Sequence, residues 1–83
     1  MFVMLLRVFF DTTKHHSVEY FMLDDYDSMD ALLDAARVRF HRVIATDLDN
    51  QAVVCMLTEL LDPNGVPLEK FSRDRRVAPT PEE

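Results

Sequence analysis

Glycine and cysteine are nearly missing from this chain, because each occurs once among its 83 residues, as Gly65 and Cys55. A single glycine cannot supply the glycine-rich loop that cradles nucleotide phosphates. A single cysteine cannot form an intrachain disulfide, which is typical of a reducing compartment. Cys55 lies in an apolar segment, so the sequence predicts a buried, unreactive thiol rather than a nucleophile.

Basic residues are also few, with nine lysines and arginines against fifteen acidic residues, for a net charge of −6. Binding of nucleic acid needs a basic footprint to neutralise phosphates, so we expect no direct nucleic-acid binding. The apolar stretch over residues 1–10 is too short to span a bilayer and has no basic segment before it. We therefore expect no membrane association and a cytoplasmic location.

The sequence also lacks recognisable catalytic and metal-binding patterns. His15 and His16 are adjacent, and neighbouring residues of an extended chain point to opposite sides, so the pair is poorly placed to chelate one metal ion. The aspartates around residue 25 lack the glycine and the distal glutamate of a calcium-binding loop. No serine lies in a nucleophile elbow. We expect no enzymatic activity, no cofactor and no metal site.

What the chain does have is strands that are apolar on both faces. If residues 1–10 form a strand, one face carries Phe2, Met4, Leu6, Val8 and Phe10, and the other carries Val3, Leu5 and Phe9. Residues 51–61 repeat this pattern. A sheet that is apolar on both faces needs two covering layers, and a chain this short has a thin stability margin. We predict that a second copy or a foreign protein covers the second face.

One segment has the apolar spacing of an amphipathic helix. Its apolar positions are Met29, Leu32, Leu33, Ala36, Phe40, Val43 and Ile44. Asp27 or Ser28 can cap its N-terminus, and we expect the helix to end near Ala45. Phe40 is at the centre of the stripe and should be part of the core. Asp34 could pair with Arg37 or Arg39 on the polar face.

Two pairs of strands flank this helix. We predict strands at about residues 2–10 and 17–23, joined by a polar loop, and at about 52–61 and 66–71. The Asp62-Pro-Asn-Gly65 sequence predicts a hairpin turn with positive φ at Gly65, and Pro67 predicts an edge strand. The predicted fold is α+β, a ββαββ arrangement of antiparallel hairpins with one helix packed on one sheet face. It forms a single domain over residues 1–71, followed by a polar tail over 72–83.

Five carboxylates cluster within eleven residues, which we call the acidic segment: Asp24, Asp25, Asp27, Asp30 and Asp34. One interpretation is a solvated surface that also caps the helix. The other is a patch that docks on a basic partner, in one version by mimicking nucleic-acid phosphates. We predict these five residues as partner-binding residues.

The pattern of short motifs resembles that of small, acidic, functionally uncharacterised ββαββ proteins encoded by phages and prophages. The resemblance rests on RFH at residues 39–41, ATD at 45–47, Asn50, LDPNG at 61–65 and the acidic, proline-containing PTPEE at 79–83. It implies a phage-type origin and a location in the cytoplasm of a bacterial host. Small acidic proteins of this origin often bind a host protein, and inhibitors of CRISPR effectors are one such class.

Two hypotheses about function follow. The first is a binding protein that inhibits a host factor, such as a defence complex, by protein–protein occlusion. The alternative is a homo-oligomeric structural or accessory protein, for instance of a virion, that has no inhibitory role.

Overall fold

The predicted ββαββ order is confirmed in the computed structural model, which describes residues 1–10 and 15–75. The elements are β1 (Phe2–Phe9), β2 (His15–Met22), a 3₁₀ turn (Leu23–Asp25), α1 (Met29–Asp49), β3 (Cys55–Leu61) and β4 (Pro67–Asp74). The strands form one sheet in the order β2-β1-β3-β4, and every neighbouring pair is antiparallel. The fold is α+β, with α1 on one face of the sheet.

The core lies between α1 and the sheet, and it follows the predicted alternation. Its buried members are Val3, Leu5, Leu32, Ala36, Phe40, Val43, Ile44, Met56 and Leu60. The helix begins as expected, because the Ser28 hydroxyl accepts a hydrogen bond from the Ala31 N–H at 3.1 Å. Phe40 is 3% exposed, so its predicted place in the core is confirmed.

The predicted end of the helix is wrong, because α1 continues past Ala45 to Asp49. Aspartate is a poor residue for a helix interior, but Asp47 is buried on the side of α1 that faces the sheet, where it pairs with Arg7 of β1. The next strand correspondingly starts late. A turn occupies the predicted start of β3, where Asn50 accepts bonds from the Val53 N–H and, through its side chain, from the Ala52 N–H, each at 3.0 Å.

Two other strand limits also differ from the prediction. β2 begins at His15, two residues early, and β4 runs to Asp74 rather than Phe71. Residues 72–74 therefore belong to the sheet and not to the predicted tail. Residues 76–83 of that tail and residues 11–14 of the predicted loop lie outside the described part of the chain.

The hairpin turn between β3 and β4 has the predicted conformation. The Gly65 N–H donates to the Asp62 carbonyl and the Asp62 N–H donates to the Val66 carbonyl, both at 2.9 Å. Gly65 has a φ of +82°. These bonds define a three-residue loop in which a left-handed glycine follows the turn. β4 is an edge strand, as Pro67 predicts, because the proline nitrogen has no hydrogen to donate to a further strand.

Replacing Gly65 with valine should lower the free energy of unfolding by about 1–3 kcal/mol, and replacement with alanine should lower it by less. A Cβ at this position would have no atom within 4 Å, so the cost comes from the positive φ alone. Urea unfolding of both variants measures it. Asn64→Ala is the matched control, because Asn64 is exposed in the same turn and has no positive φ. An unchanged midpoint for Gly65→Val would contradict the assignment.

Candidate functional site

One face of the sheet has no covering element among the described residues, and we call it the open face. The register places these side chains on it: Phe2, Met4, Leu6 and Val8 of β1; Val18, Tyr20 and Met22 of β2; and Cys55, Leu57 and Leu61 of β3. The helix-covered face carries the alternate residues, including the buried Val3, Leu5 and Leu60. Within the described residues, the fold therefore has the predicted contrast between one covered and one uncovered apolar face.

Three large apolar side chains of the open face are exposed at the end where β1 begins and β2 ends. Tyr20 is 58% exposed, Met22 is 42% exposed and Phe2 is 36% exposed. The rings of Phe2 and Tyr20 meet edge to face, with centroids 5.2 Å apart. Val8 and Leu61, near the middle of the sheet, are buried by their neighbours. The most accessible apolar surface is thus a cluster of two aromatic rings and a thioether at one end of β1 and β2.

Charges on the open face are confined to its other side. Glu59 of β3 lies directly across from Lys70 of β4, so these opposite charges are cross-strand neighbours. Cys55 is half-buried on this face at the start of β3, which corrects the prediction of a buried thiol. The cysteine is partly accessible, and no helix or strand among the described residues packs on this side of the sheet.

The acidic segment starts at the end of β2, next to the exposed apolar cluster. Asp24 and Asp25 lie in the 3₁₀ turn that follows Met22, and the Leu23 N–H ties this turn to β1 through the Met1 carbonyl at 3.0 Å. Asp27, Asp30 and Asp34 continue the segment into α1. All five carboxylate residues are exposed. Ser28, and not Asp27, supplies the helix cap, so capping does not account for Asp24, Asp25 or Asp27.

None of the ion pairs within residues 1–10 and 15–75 uses an acidic-segment carboxylate. The prediction that Asp34 pairs with Arg37 or Arg39 is wrong. Arg37 reaches Glu69 of β4 and Arg39 reaches Glu19 of β2, each at 2.9 Å. Both arginines pair with glutamates of the edge strands. They therefore do not neutralise the negative charge of the acidic segment.

A third ion pair joins the middle of the sheet to the helix, and sequence reasoning missed it. The Arg7 guanidinium donates to both carboxylate oxygens of Asp47, at 2.7 and 3.2 Å. The Asp47 side chain is 5% exposed and that of Arg7 is 22% exposed. A signal was present, because Asp47 lies four residues after Val43 and continues the apolar stripe, while Arg7 is the only charge in its strand. When one acidic and one basic residue each lie in an apolar surface and the two surfaces pack together, an ion pair between them is expected, because a buried charge needs a partner.

Hydrogen bonding and charge from Glu19 both raise the pKa of the Arg39 guanidinium, with the hydrogen bond the larger cause. Because an arginine is already protonated at any pH at which proteins are handled, this shift does not make Arg39 a titrating group. The three helix–sheet pairs link α1 to β1, β2 and β4. Their role is to position the helix, and none of the three pairs involves a residue of the open face or of the acidic segment.

The surface of the described residues has two shallow depressions. One, of about 350 Å³, is lined by Arg7, Phe9, His15, Asp47 and Asn50, with the rings of Phe9 and His15 stacked at 5.2 Å. Its arginine is already engaged by Asp47. The other, of about 390 Å³, lies at the β3–β4 end and includes Cys55 and Lys70.

Within the described residues, no group of three or more histidine, cysteine, aspartate or glutamate side chains is arranged to hold a metal ion. No helix in that part of the chain combines the length and the apolar character needed to cross a membrane. Comparison of the chain with protein-family models, curated proteins and solved structures yields no match, so any inference about its function rests on its own surfaces.

Proposed function

We propose that this chain is a small binding protein that occludes a functional surface of a foreign protein. The observation that carries the proposal is the open face, on which the apolar side chains of Phe2, Tyr20 and Met22 are exposed. In line with the resemblance described above, the foreign protein would be a bacterial host factor and the chain a phage-type inhibitor. A defence complex, including a CRISPR effector, is the kind of target that this origin suggests.

The size of the open face supports a macromolecular partner. Strands of about eight residues, with a rise of about 3.3 Å per residue and a spacing of about 4.8 Å, give three strands a face of about 400 Å². An apolar patch of this size on a monomer often marks an interaction site. The face is a pleated surface with shallow depressions, which suits a complementary protein surface better than a small ligand.

The acidic segment indicates the character of that partner. Asp24 and Asp25 lie just beyond Met22, so the exposed apolar cluster has negative charge at its border. A complementary surface would have an apolar centre and a basic border. Opposite charges speed encounter between two proteins, and the acceleration weakens as salt rises. Apolar contact with the open face would then hold the complex.

A capture experiment tests both parts of this proposal. The immobilised chain is exposed to a bacterial host lysate at low and high salt, and a protein that is retained is identified and measured by titration. Tyr20→Arg should abolish retention, because it places a charge in the apolar cluster. Reversal of Asp24, Asp25 and Asp30 to lysine should weaken binding at low salt and remove its salt dependence, while Asp27 stays in place.

Val38→Arg is the matched control, because Val38 is an exposed apolar residue of α1, away from the sheet. Retention that survives Tyr20→Arg as well as it survives Val38→Arg would contradict a role for the open face. Full affinity after the triple charge reversal, with an intact fold, would show that the acidic segment is only a solvated surface.

The alternative function is a homo-oligomeric structural or accessory protein, and one observation favours it. Glu59 and Lys70 on the open face are opposite in sign and adjacent, so this pair would not repel a second copy. Asp74, opposite Cys55 in register, is the other charged residue that β4 places on this face. Self-association that Tyr20→Arg abolishes, with no foreign protein retained, would replace the first proposal with this one.

A further inference from the structure

The two edges of the sheet are not equally protected against pairing with another strand. At the β4 edge, Pro67 lacks a donor, a register shift occurs opposite Leu60 and Leu61, and Lys70 adds a charge. Prolines, irregular register and lysines are features that block edge pairing in natural sheets. β2 has none of them over its eight residues, and its register with β1 is regular throughout.

The hydrogen bonds of the sheet show which groups of β2 face outward. The Leu23 N–H bonds the Met1 carbonyl, so Met1 and Leu23, which are opposite in register, are a hydrogen-bonded pair. In an antiparallel ladder such pairs alternate with non-bonded pairs. The odd-numbered residues of β2 therefore bond β1. The N–H and carbonyl groups of the even-numbered residues, His16, Val18, Tyr20 and Met22, point away from the sheet.

The β2 edge also has almost no net charge, unlike the chain as a whole. Glu19 is its only acidic residue, and Arg39 binds that carboxylate from α1 through three hydrogen bonds of 2.9–3.2 Å. Ser17 and two histidines complete its polar side chains. A second copy of the chain can therefore approach this edge without the repulsion that a net charge of −6 would otherwise cause.

We propose that two copies of this chain pair through their β2 edges, antiparallel and about a two-fold axis at Val18, to form a continuous eight-stranded sheet. Centring the axis on Val18 allows residues 15–21 of both copies to pair. His16 then lies opposite Tyr20 of the second copy, and Ser17 lies opposite Glu19. An axis at Glu19 would set two carboxylates against each other, which destabilises a strand pair. An axis at Tyr20 would pair only residues 18–22.

This dimer uses a surface that differs from the open face, and it goes beyond the proposed function. Both helices would lie on the same side of the joined sheet, and the two open faces would become one continuous surface on the other side. Tyr20 and Met22, two of its exposed apolar residues, would then lie near the middle of a surface twice as large. A partner would meet two copies of the apolar cluster at once.

Sedimentation of the full chain from low micromolar to near-millimolar concentration tests the proposal. We expect a reversible dimer, and Val18→Pro should raise its dissociation constant by roughly tenfold or more, since it removes one outward N–H from each copy. The same N–H makes no bond to β1, so the hairpin itself keeps its hydrogen bonds. Ser72→Pro is the matched control on the β4 edge, where the alternation also directs the N–H outward, and it should leave the dimer unchanged.

Val18→Lys provides a second variant should Val18→Pro fail to fold, because a lysine also opposes edge pairing. Amide hydrogen exchange adds an independent readout, in which the N–H groups of His16, Val18 and Tyr20 should gain protection as the concentration rises. A chain that stays monomeric at near-millimolar concentration overturns the proposal. So does a dimer that neither β2 variant weakens. Neither result bears on the proposal that the open face binds a foreign protein, which the capture experiment tests separately.

Discussion

Phe40→Ala should lower the free energy of unfolding by about 3–5 kcal/mol. Phe40 is 3% exposed and belongs to the cluster that joins α1 to Leu5 and Leu60 of the sheet. Removing its ring leaves a cavity that the surrounding strands cannot fill without losing their register. Because small domains are stable by about 5–15 kcal/mol in total, this loss is a large share of the stability. Urea unfolding followed by circular dichroism measures it.

Val38→Ala is the control for Phe40→Ala, since both residues lie in α1 and Val38 is exposed. An exposed substitution of this kind should change stability by no more than about 0.5 kcal/mol. Equal unfolding midpoints for the two variants would mean that α1 presents a different face to the sheet from the one described.

Arg7→Met is expected to destabilise the fold by about 3–5 kcal/mol, because it leaves a buried carboxylate without its partner. Asp47 is 5% exposed, and its two oxygens accept from the Arg7 guanidinium at 2.7 and 3.2 Å. Methionine keeps most of the aliphatic length of the arginine, so the effect isolates the charge. Thermal and urea unfolding of the variant provide the measurement.

Two further variants separate a pairing effect from a packing effect. Arg37→Met breaks the pair with Glu69, in which the arginine is 45% exposed, and should cost no more than about 1 kcal/mol. Adding Asp47→Leu to Arg7→Met should restore much of the lost stability, because no unpaired charge remains. If the double variant is as unstable as Arg7→Met, the loss arises from packing and not from the buried carboxylate.

The sequence was sufficient to predict those parts of the fold that depend on periodicity and turn chemistry. Alternation predicted which residues of β1 share a face, the 3.6-residue stripe predicted that Phe40 is buried, and the glycine of the turn was assigned its positive φ. Each of these features is determined by neighbours in sequence. The end of α1 was wrong because Asp47 is accommodated by Arg7, a residue that is distant in sequence and close only in the folded chain.

The sequence predicted that the candidate site is an uncovered apolar face of the sheet, but it did not predict which face. The alternation of apolar residues predicted that one face of the sheet would lack a covering element. Because both faces of β1 are apolar, the alternation could not predict which face the helix covers. The charged residues determine which face the helix covers. Arg7 pairs with Asp47 of α1 and Glu19 pairs with Arg39 of α1, so the face that carries Arg7 and Glu19 is the one beneath the helix. Cys55 was expected to be buried and is half-exposed for the same reason, since it lies on the side without a helix.

The strand order β2-β1-β3-β4 also constrains how the chain can fold. Each hairpin joins strands that are neighbours in sequence, so each can form at a small entropic cost of loop closure. The central pairing of β1 with β3 is different. Arg7 of β1 lies opposite Thr58 of β3, so this pairing closes a long loop that contains β2 and α1. Contacts of such long range slow folding. We therefore expect formation of the β1–β3 pairing, with α1 packed on one face of it, to limit the rate of folding, which makes this region the folding nucleus.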